Sequence, residues 1–264
     1  MAKPMTVDLN GKVVIITGAG GGIGNAMALD FARNGAKVVC SGRTLSTLEA
    51  TVKQVTEAGG EACVIKTDVS NKESAAAMVE ETIKKYGRLD CLVNNAGING
   101  GAEERKKIHE YSDELWERII ATDLNSVYYC SKPAVRYMVE HGGGSIINVA
   151  SIVGVAPLRL QCAFAAAKAG VVNLSKAMAI ELAENNIRVN VICPGSIMTE
   201  GTKKIFYNDP DIAKAILSHI PMHRAGTTEE MAGLSSFLTS EEASYITGGV
   251  FIADGGWTCS IRTF

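Results

Sequence analysis

The sequence predicts an α/β fold, one doubly wound parallel sheet with helices on both faces. Two observations carry that reading. Short apolar, β-branched runs alternate with longer segments of helical composition almost from end to end. Most of these runs are apolar throughout rather than alternating, as strands covered on both faces are. The 264 residues suit one domain spanning 1–264, with no repeat, low-complexity tract or linker to divide it.

Strands are expected at Val13–Thr17, Lys37–Ser41, Ala62–Thr67, Cys91–Asn94, Ser145–Ala150, Arg188–Cys193 and Val250–Ala253. Helices are expected between them, at Gly24–Asn34, Leu45–Ala58, Lys72–Tyr86, Asp113–Glu140, Cys162–Asn185 and Thr228–Leu238. Ser112 before Asp113 and Glu114, and Thr227 before Thr228, Glu229 and Glu230, place short polar and acidic residues where helix starts favour them. Such alternation implies right-handed crossovers. The interval 196–226 breaks the rhythm, interrupted by Asp209-Pro210 and Ile220-Pro221. Just after a strand's carboxyl end, such an insertion is placed for a substrate lid, and a plain surface excursion is the alternative.

Composition excludes several classes. Hydrophobic residues make up 47% and charged residues 20%, enough apolar material to order the chain. With 26 basic against 28 acidic residues and a net charge of −2, nucleic acid is not an expected partner. The apolar runs are strand-sized, so no membrane span is expected. Met1–Asn10 lacks the apolar core of an export signal. Seven scattered cysteines without a Cys-x-x-Cys pair fit a reducing cytoplasm better than a disulfide framework. Pro221 between His219 and His223 breaks a shared helical face, so no metal site is expected.

The chemistry begins at Thr17-Gly18-Ala19-Gly20-Gly21-Gly22-Ile23-Gly24, which follows the first strand and opens the first helix. Glycines let the backbone turn sharply and approach a pyrophosphate, while the helix amino terminus offers free N–H groups to phosphates. Strand, loop and helix in this order point to a Rossmann-type dinucleotide site. The second strand ends Cys40-Ser41-Gly42-Arg43, without the acid that would hold an adenosine ribose. Arg43 could pair with a 2′-phosphate, which favours NADP(H), or stack on adenine, which leaves NAD(H) open.

These residues resemble the short-chain dehydrogenase/reductase family over nearly the whole chain. Thr17–Gly24 is similar to the family's Thr-Gly-x-x-x-Gly-x-Gly loop, and Asn94-Asn95-Ala96-Gly97 to its Asn-Asn-Ala-Gly element. Asp68-Val69 falls where the family contacts adenine. Pro194-Gly195 with Ile197 and Thr199 resembles the segment that holds the nicotinamide carboxamide, and Gly248-Gly249 with Asp254-Gly255-Gly256 the end of the last strand. The resemblance implies hydride transfer between a nicotinamide and a secondary alcohol or ketone. It also implies a homotetramer, built through helices 113–140 and 162–185.

The family's catalytic set is Asn, Ser, Tyr and Lys. Ser151 matches the serine that hydrogen-bonds the substrate oxygen, and Lys168 the lysine that holds the nicotinamide ribose and lowers the tyrosine's pKa. Four residues before Lys168, on the same helical face, the family has tyrosine and this chain has Phe164. Phenylalanine keeps the ring but has no proton to give. Asp123 stands at the family's Asn position, where it could accept a bond from a water in a proton relay.

Three readings of Phe164 compete. The first is a deliberate Tyr→Phe replacement that disables an enzyme while keeping its binding apparatus, which the intact Ser151 and Lys168 favour. A non-catalytic relative acting as sensor or scaffold is the second, and an enzyme that recruits another acid, such as Asp123 or a lid residue, is the third. The lid residues Met198, Ile205, Phe206, Tyr207, Ile216 and Met222 suit a bulky apolar substrate such as a steroid, with a sugar or polyol as the competing class. Arg159 and Gln161 are candidates for the substrate mouth. Glu103-Glu104-Arg105-Lys106-Lys107 lengthens the loop beside the site, either as a solvated run or as a contact for an anionic or polyhydroxylated substrate.

Overall fold

The computed structural model describes residues 7–260, so the two ends of the domain read over 1–264, including Met1–Thr6 of the amino-terminal stretch, lie outside the described residues. Seven strands form: β1 (Val13–Thr17), β2 (Lys37–Gly42), β3 (Glu61–Lys66), β4 (Cys91–Asn94), β5 (Gly144–Val149), β6 (Ile187–Pro194) and β7 (Val250–Ala253). All neighbours pair in parallel, in the order β3-β2-β1-β4-β5-β6-β7. The chain therefore winds outward from β1 in one direction and from β4 in the other. The reversal between them opens a crevice at the strands' carboxyl ends, where open α/β sheets bind ligands.

Nine α-helical segments are described: α1 (Gly22–Arg33), α2 (Leu45–Glu57), α3 (Lys72–Tyr86), α4 (Asp113–Ile120), α5 (Ser126–Glu140), α6 (Cys162–Leu182), α7 (Glu200–Thr202), α8 (Pro210–Leu217) and α9 (Thr228–Thr239). Residues of β1 alternate between two cores, as the period of a strand requires. Val14 and Ile16 pack with Met27 and Phe31 of α1, Leu48 of α2 and Leu238 of α9. Ile15 packs on the other face with Met78 of α3, Met138 of α5 and Met178 of α6. A buried polar chain ties that face together. The Asn94 amide donates to Ser131 Oγ at 3.0 Å and to Asn148 Oδ1 at 2.8 Å, and Asn148 donates to Ser175 Oγ at 2.8 Å.

The caps expected at Ser112 and Thr227 are present. Ser112 Oγ accepts the Leu115 N–H at 3.2 Å, and Thr227 and Glu230 form a reciprocal capping box. Other expectations are corrected. The segment 113–140 is two α-helices joined by a π-helical turn over Ala121–Asn125, a wider coil that carries Asp123. The first helix opens at Gly22, two residues before the expected start. The last turn of the segment 162–185 tightens into a 3-10 helix, Ala183–Asn185. Within 196–226, Asp209-Pro210 starts a helix rather than only interrupting the chain: the Asp209 carboxylate caps α8 and proline takes its first turn. All seven cysteines are free thiols, and burial pushes Cys40 and Cys130 up to about 12. No described helix is long and apolar enough to cross a membrane.

Candidate active site

The crevice begins at the glycine loop. Gly18 has a φ of +67°, which favours glycine, and the amide of Asn95 braces it by donating to Thr17 O at 2.9 Å and Gly18 O at 3.3 Å. A Cβ on Gly24 would come within 2.3 Å of Gly18 O, so helix and loop can approach this closely only with glycine there. Gly20 is held by α2, where a Cβ would meet Thr47 Oγ1 at 2.3 Å. Gly21 precedes α1 and gives it no side-chain cap, which leaves the N–H groups of its first turn free for an anion. Gly22 lies on this turn opposite Thr199.

The cleft beyond the loop has a volume of about 490 Å³. Of the residues expected to bind the cofactor, Gly18, Gly21, Ile23, Asn95, Ala96 and Gly97 line its β1–β4 side. Pro194, Gly195, Ile197 and Thr199 line it from the end of β6, and Lys168 lines it from α6. Gly20, Gly22 and Gly24 belong to the loop and helix start behind that lining, and four further expected residues do not line the cleft. Ser41 is fully buried, Val69 is buried, and Arg43 and Asp68 are exposed at the ends of β2 and β3. Asp68 is held below the usual carboxylate range mainly by the Ser70 hydroxyl, with a smaller pull from Arg43.

Ser151, Phe164 and Lys168 line this cleft together, Ser151 following β5 and the other two one turn apart on α6. Ser151 Oγ accepts the Val153 N–H at 3.2 Å, so its own O–H is left to donate. Lys168 is buried, as its alanine-rich surroundings imply, and it is paired. Its Nζ lies 3.1 Å from Asp123 Oδ1 and donates to Val149 O at 3.2 Å. The same nitrogen stands over the Phe164 ring, 5.5 Å from its centroid. Asp123 also accepts the Ile98 N–H, 3.1 Å from each of its oxygens. Burial raises the Asp123 pKa, opposed by Lys168 and by the Ile98 N–H. Gly97 makes room for this pair, since a Cβ there would lie 2.4 Å from Asp123 Oδ1. Asp123 thus contacts the lysine directly and gives its buried ammonium a counter-charge.

A second cavity of about 530 Å³ shares Ser151, Phe164 and Gly195 with the cleft and extends beneath 196–226. Arg159 and Gln161 line it, with Phe206 and Ile216 from the expected lid. Gln161 is held by a hydrogen bond from Asn99 at 3.0 Å. Met222 lies elsewhere, in a separate hollow with Asp254, and Tyr207 pairs with Ser196 Oγ at 2.5 Å. Sequence reasoning missed Asn99, Ser196, His219 and Trp257 as cavity residues. They come from loops and turns without periodicity, and the His219–Trp257 stacking, 6.0 Å between ring centroids, has no sequence mark.

With this geometry in place, comparison with known proteins is specific. A family model described as enoyl-(acyl carrier protein) reductase matches residues 18–258. The chain is 40% identical to the 3-oxoacyl-(acyl-carrier-protein) reductase FabG of Thermotoga maritima, over 94% of this chain and 98% of that protein. It is 37% identical to 3beta-hydroxysteroid dehydrogenase 2 of Eggerthella lenta, over 95% and 96%. Among solved structures, one described as an NAD(P)-dependent gluconate 5-dehydrogenase of Beutenbergia cavernae, with NADP bound at low occupancy, superposes with a TM-score of 0.90. It is 36% identical, over 97% of this chain and all of that one. The chain belongs to the short-chain dehydrogenase/reductase family.

Proposed function

We propose that this chain binds NADP(H) in the cleft and a secondary alcohol or ketone in the adjoining cavity, with the apparatus for hydride transfer intact except for its acid–base group. The observation that carries this is the meeting of Ser151, Phe164 and Lys168 on one wall of the cleft. The uncapped α1 amino terminus and the glycine cradle fit a pyrophosphate. When bound, the reduced nicotinamide supplies a hydride to the carbonyl carbon. Ser151 donates its free O–H to the substrate oxygen and stabilises charge developing there. Lys168 keeps one N–H beyond its bonds to Asp123 and Val149, and that donor holds the ribose hydroxyls. Phe164 occupies the acid's place and delivers no proton, so turnover is slow. Arg43, exposed at the end of β2 with no acid beside it on that strand, supports NADP(H) over NAD(H). Among the relatives, the 3beta-hydroxysteroid dehydrogenase supports a hydroxysteroid for this cavity and the gluconate 5-dehydrogenase a sugar or polyol.

Phe164→Tyr tests the reading. With ketones and alcohols offered alongside each nicotinamide, the tyrosine form is expected to turn over about 10²–10⁴ times faster. Equal rates would assign the proton to another group, with Asp123→Asn the next replacement. If neither form turns over while cofactor binds, either the panel of ketones and alcohols lacks the substrate or the reading as a nucleotide-binding sensor or scaffold gains ground. The engagement of Lys168 by Asp123 favours that second reading.

A further inference from the structure

Arg105 stands apart from every other cation near the site. It lies between two 3-10 turns after β4, Ala102–Glu104 and Ile108–Glu110, and it lines both the cleft and the cavity. Its guanidinium lies over the Phe206 ring, 4.9 Å from the centroid. Its Nε is shielded from solvent and has no hydrogen-bond partner. No ion pair to it occurs among the described residues, and the neighbouring Glu104 is committed to Arg118 at 3.0 Å and to the Gly101 N–H at 2.8 Å. Burial pulls the Arg105 pKa down.

A half-buried, unpaired guanidinium is costly unless something supplies the missing charge and acceptors. Among the described residues no Asp or Glu lines the cavity, whereas Arg159 and His219 add further basic groups. Its remaining wall is largely apolar, with Ile152, Val153, Ile212, Ile216 and Trp257 around Phe206. A fixed planar fork above an apolar hollow suits a carboxylate on an apolar body, taken by two parallel N–H bonds. The cofactor's own phosphates have their place at the α1 amino terminus. Arg105 instead shares its wall with Ser151 and Phe164, at the reacting end.

We propose that Arg105 is the specificity residue of the cavity and selects alcohols or ketones bearing a carboxylate on an apolar skeleton. Ser151 then meets the reacting oxygen while Arg105 holds the acid. The proposal rests on the hydride-transfer reading for the reacting group, but the carboxylate contact is a binding property and can be measured alone.

The experiment is calorimetry on the unmodified chain saturated with NADP, which needs no turnover. Two matched probe pairs are used: 4-oxocyclohexanecarboxylate and its methyl ester, and a 3-oxo steroid carboxylic acid and its methyl ester. At least one acid is expected to bind 10-fold or more tighter than its ester. Arg105→Gln should abolish that preference, read as the ratio of acid to ester affinity, and Arg105→Lys should recover part of it. Equal binding of acid and ester, no acid binding at millimolar concentration, or a loss in Arg105→Gln confined to NADP would each overturn the proposal. Should neither nicotinamide bind, the hydride-transfer reading falls, and the acid–ester comparison run without cofactor still decides the role of Arg105.

Discussion

At Lys168 and Asp123, two departures from an ordinary surface meet: a buried ammonium and a buried carboxylate, 3.1 Å apart. Neither charge has much water to fall back on, so each depends on the other. Breaking such a pair by removing one partner costs more than the pair itself contributes, because the survivor stays buried and uncompensated. Asp123→Ala is therefore expected to lower unfolding stability by about 3–5 kcal/mol, measured by denaturant titration. Asp123→Asn keeps the acceptor for Ile98 N–H and should cost less. A loss under 1 kcal/mol for the alanine form would mean that Lys168 finds another acceptor. The residue types at this site were legible in the sequence: Ser151, Phe164 and Lys168 sit on the cleft wall, and Lys168 is as buried as its neighbours implied. Their pairing was not, because 45 positions separate Asp123 from Lys168 and only the folded chain sets that distance.

The α9 helix shows how an element is held at both ends. At its amino terminus the Glu230 carboxylate accepts the Thr227 N–H at 2.8 Å and pairs with Arg224 at 2.6 Å. At its carboxyl end the half-buried Arg188 donates to Leu238 O at 2.7 Å, Ser240 O at 3.1 Å and Thr239 O at 3.2 Å, closing carbonyls that the helix leaves open. Arg224 and the Thr227 N–H hold Glu230 down to about 2. A carboxylate lowered from 4.5 in this way contributes stability above pH 4.5, and loses it as pH falls towards 2. Melting temperature followed from pH 7 to 2 should therefore drop more steeply for the unmodified chain than for Glu230→Gln, the two curves converging at the acid end. Parallel curves would mean that the pair contributes nothing. At this scale the strands were legible to within one residue at each end, because buried runs bounded by turns leave little choice. The π-helical turn over Ala121–Asn125 was not, since a single wider turn leaves the hydrophobic period of 113–140 almost unchanged.

Across the whole molecule, helices α5 and α6 carry large apolar side chains that one copy leaves open. Ile180 is 81% exposed on α6, and Tyr128 and Val139 are also exposed on α5. A homotetramer joined through these helices would bury them. Light scattering is expected to report four copies for the unmodified chain and a smaller species for Ile180→Asp, whose charge would sit in the joint. A monomer at micromolar concentration would overturn that assembly.

The cleft and the cavity share Ser151, Phe164 and Gly195, so part of the wall of each belongs to both. Whatever fills one sets the boundary of the other. By thermodynamic linkage, the factor by which the nucleotide tightens a second ligand equals the factor by which that ligand tightens the nucleotide. Under the proposed reading, in which Phe164 withholds the proton, the chain would therefore still reveal its substrate. A library can thus be screened for the compound that most tightens equilibrium nucleotide binding, without a single catalytic cycle.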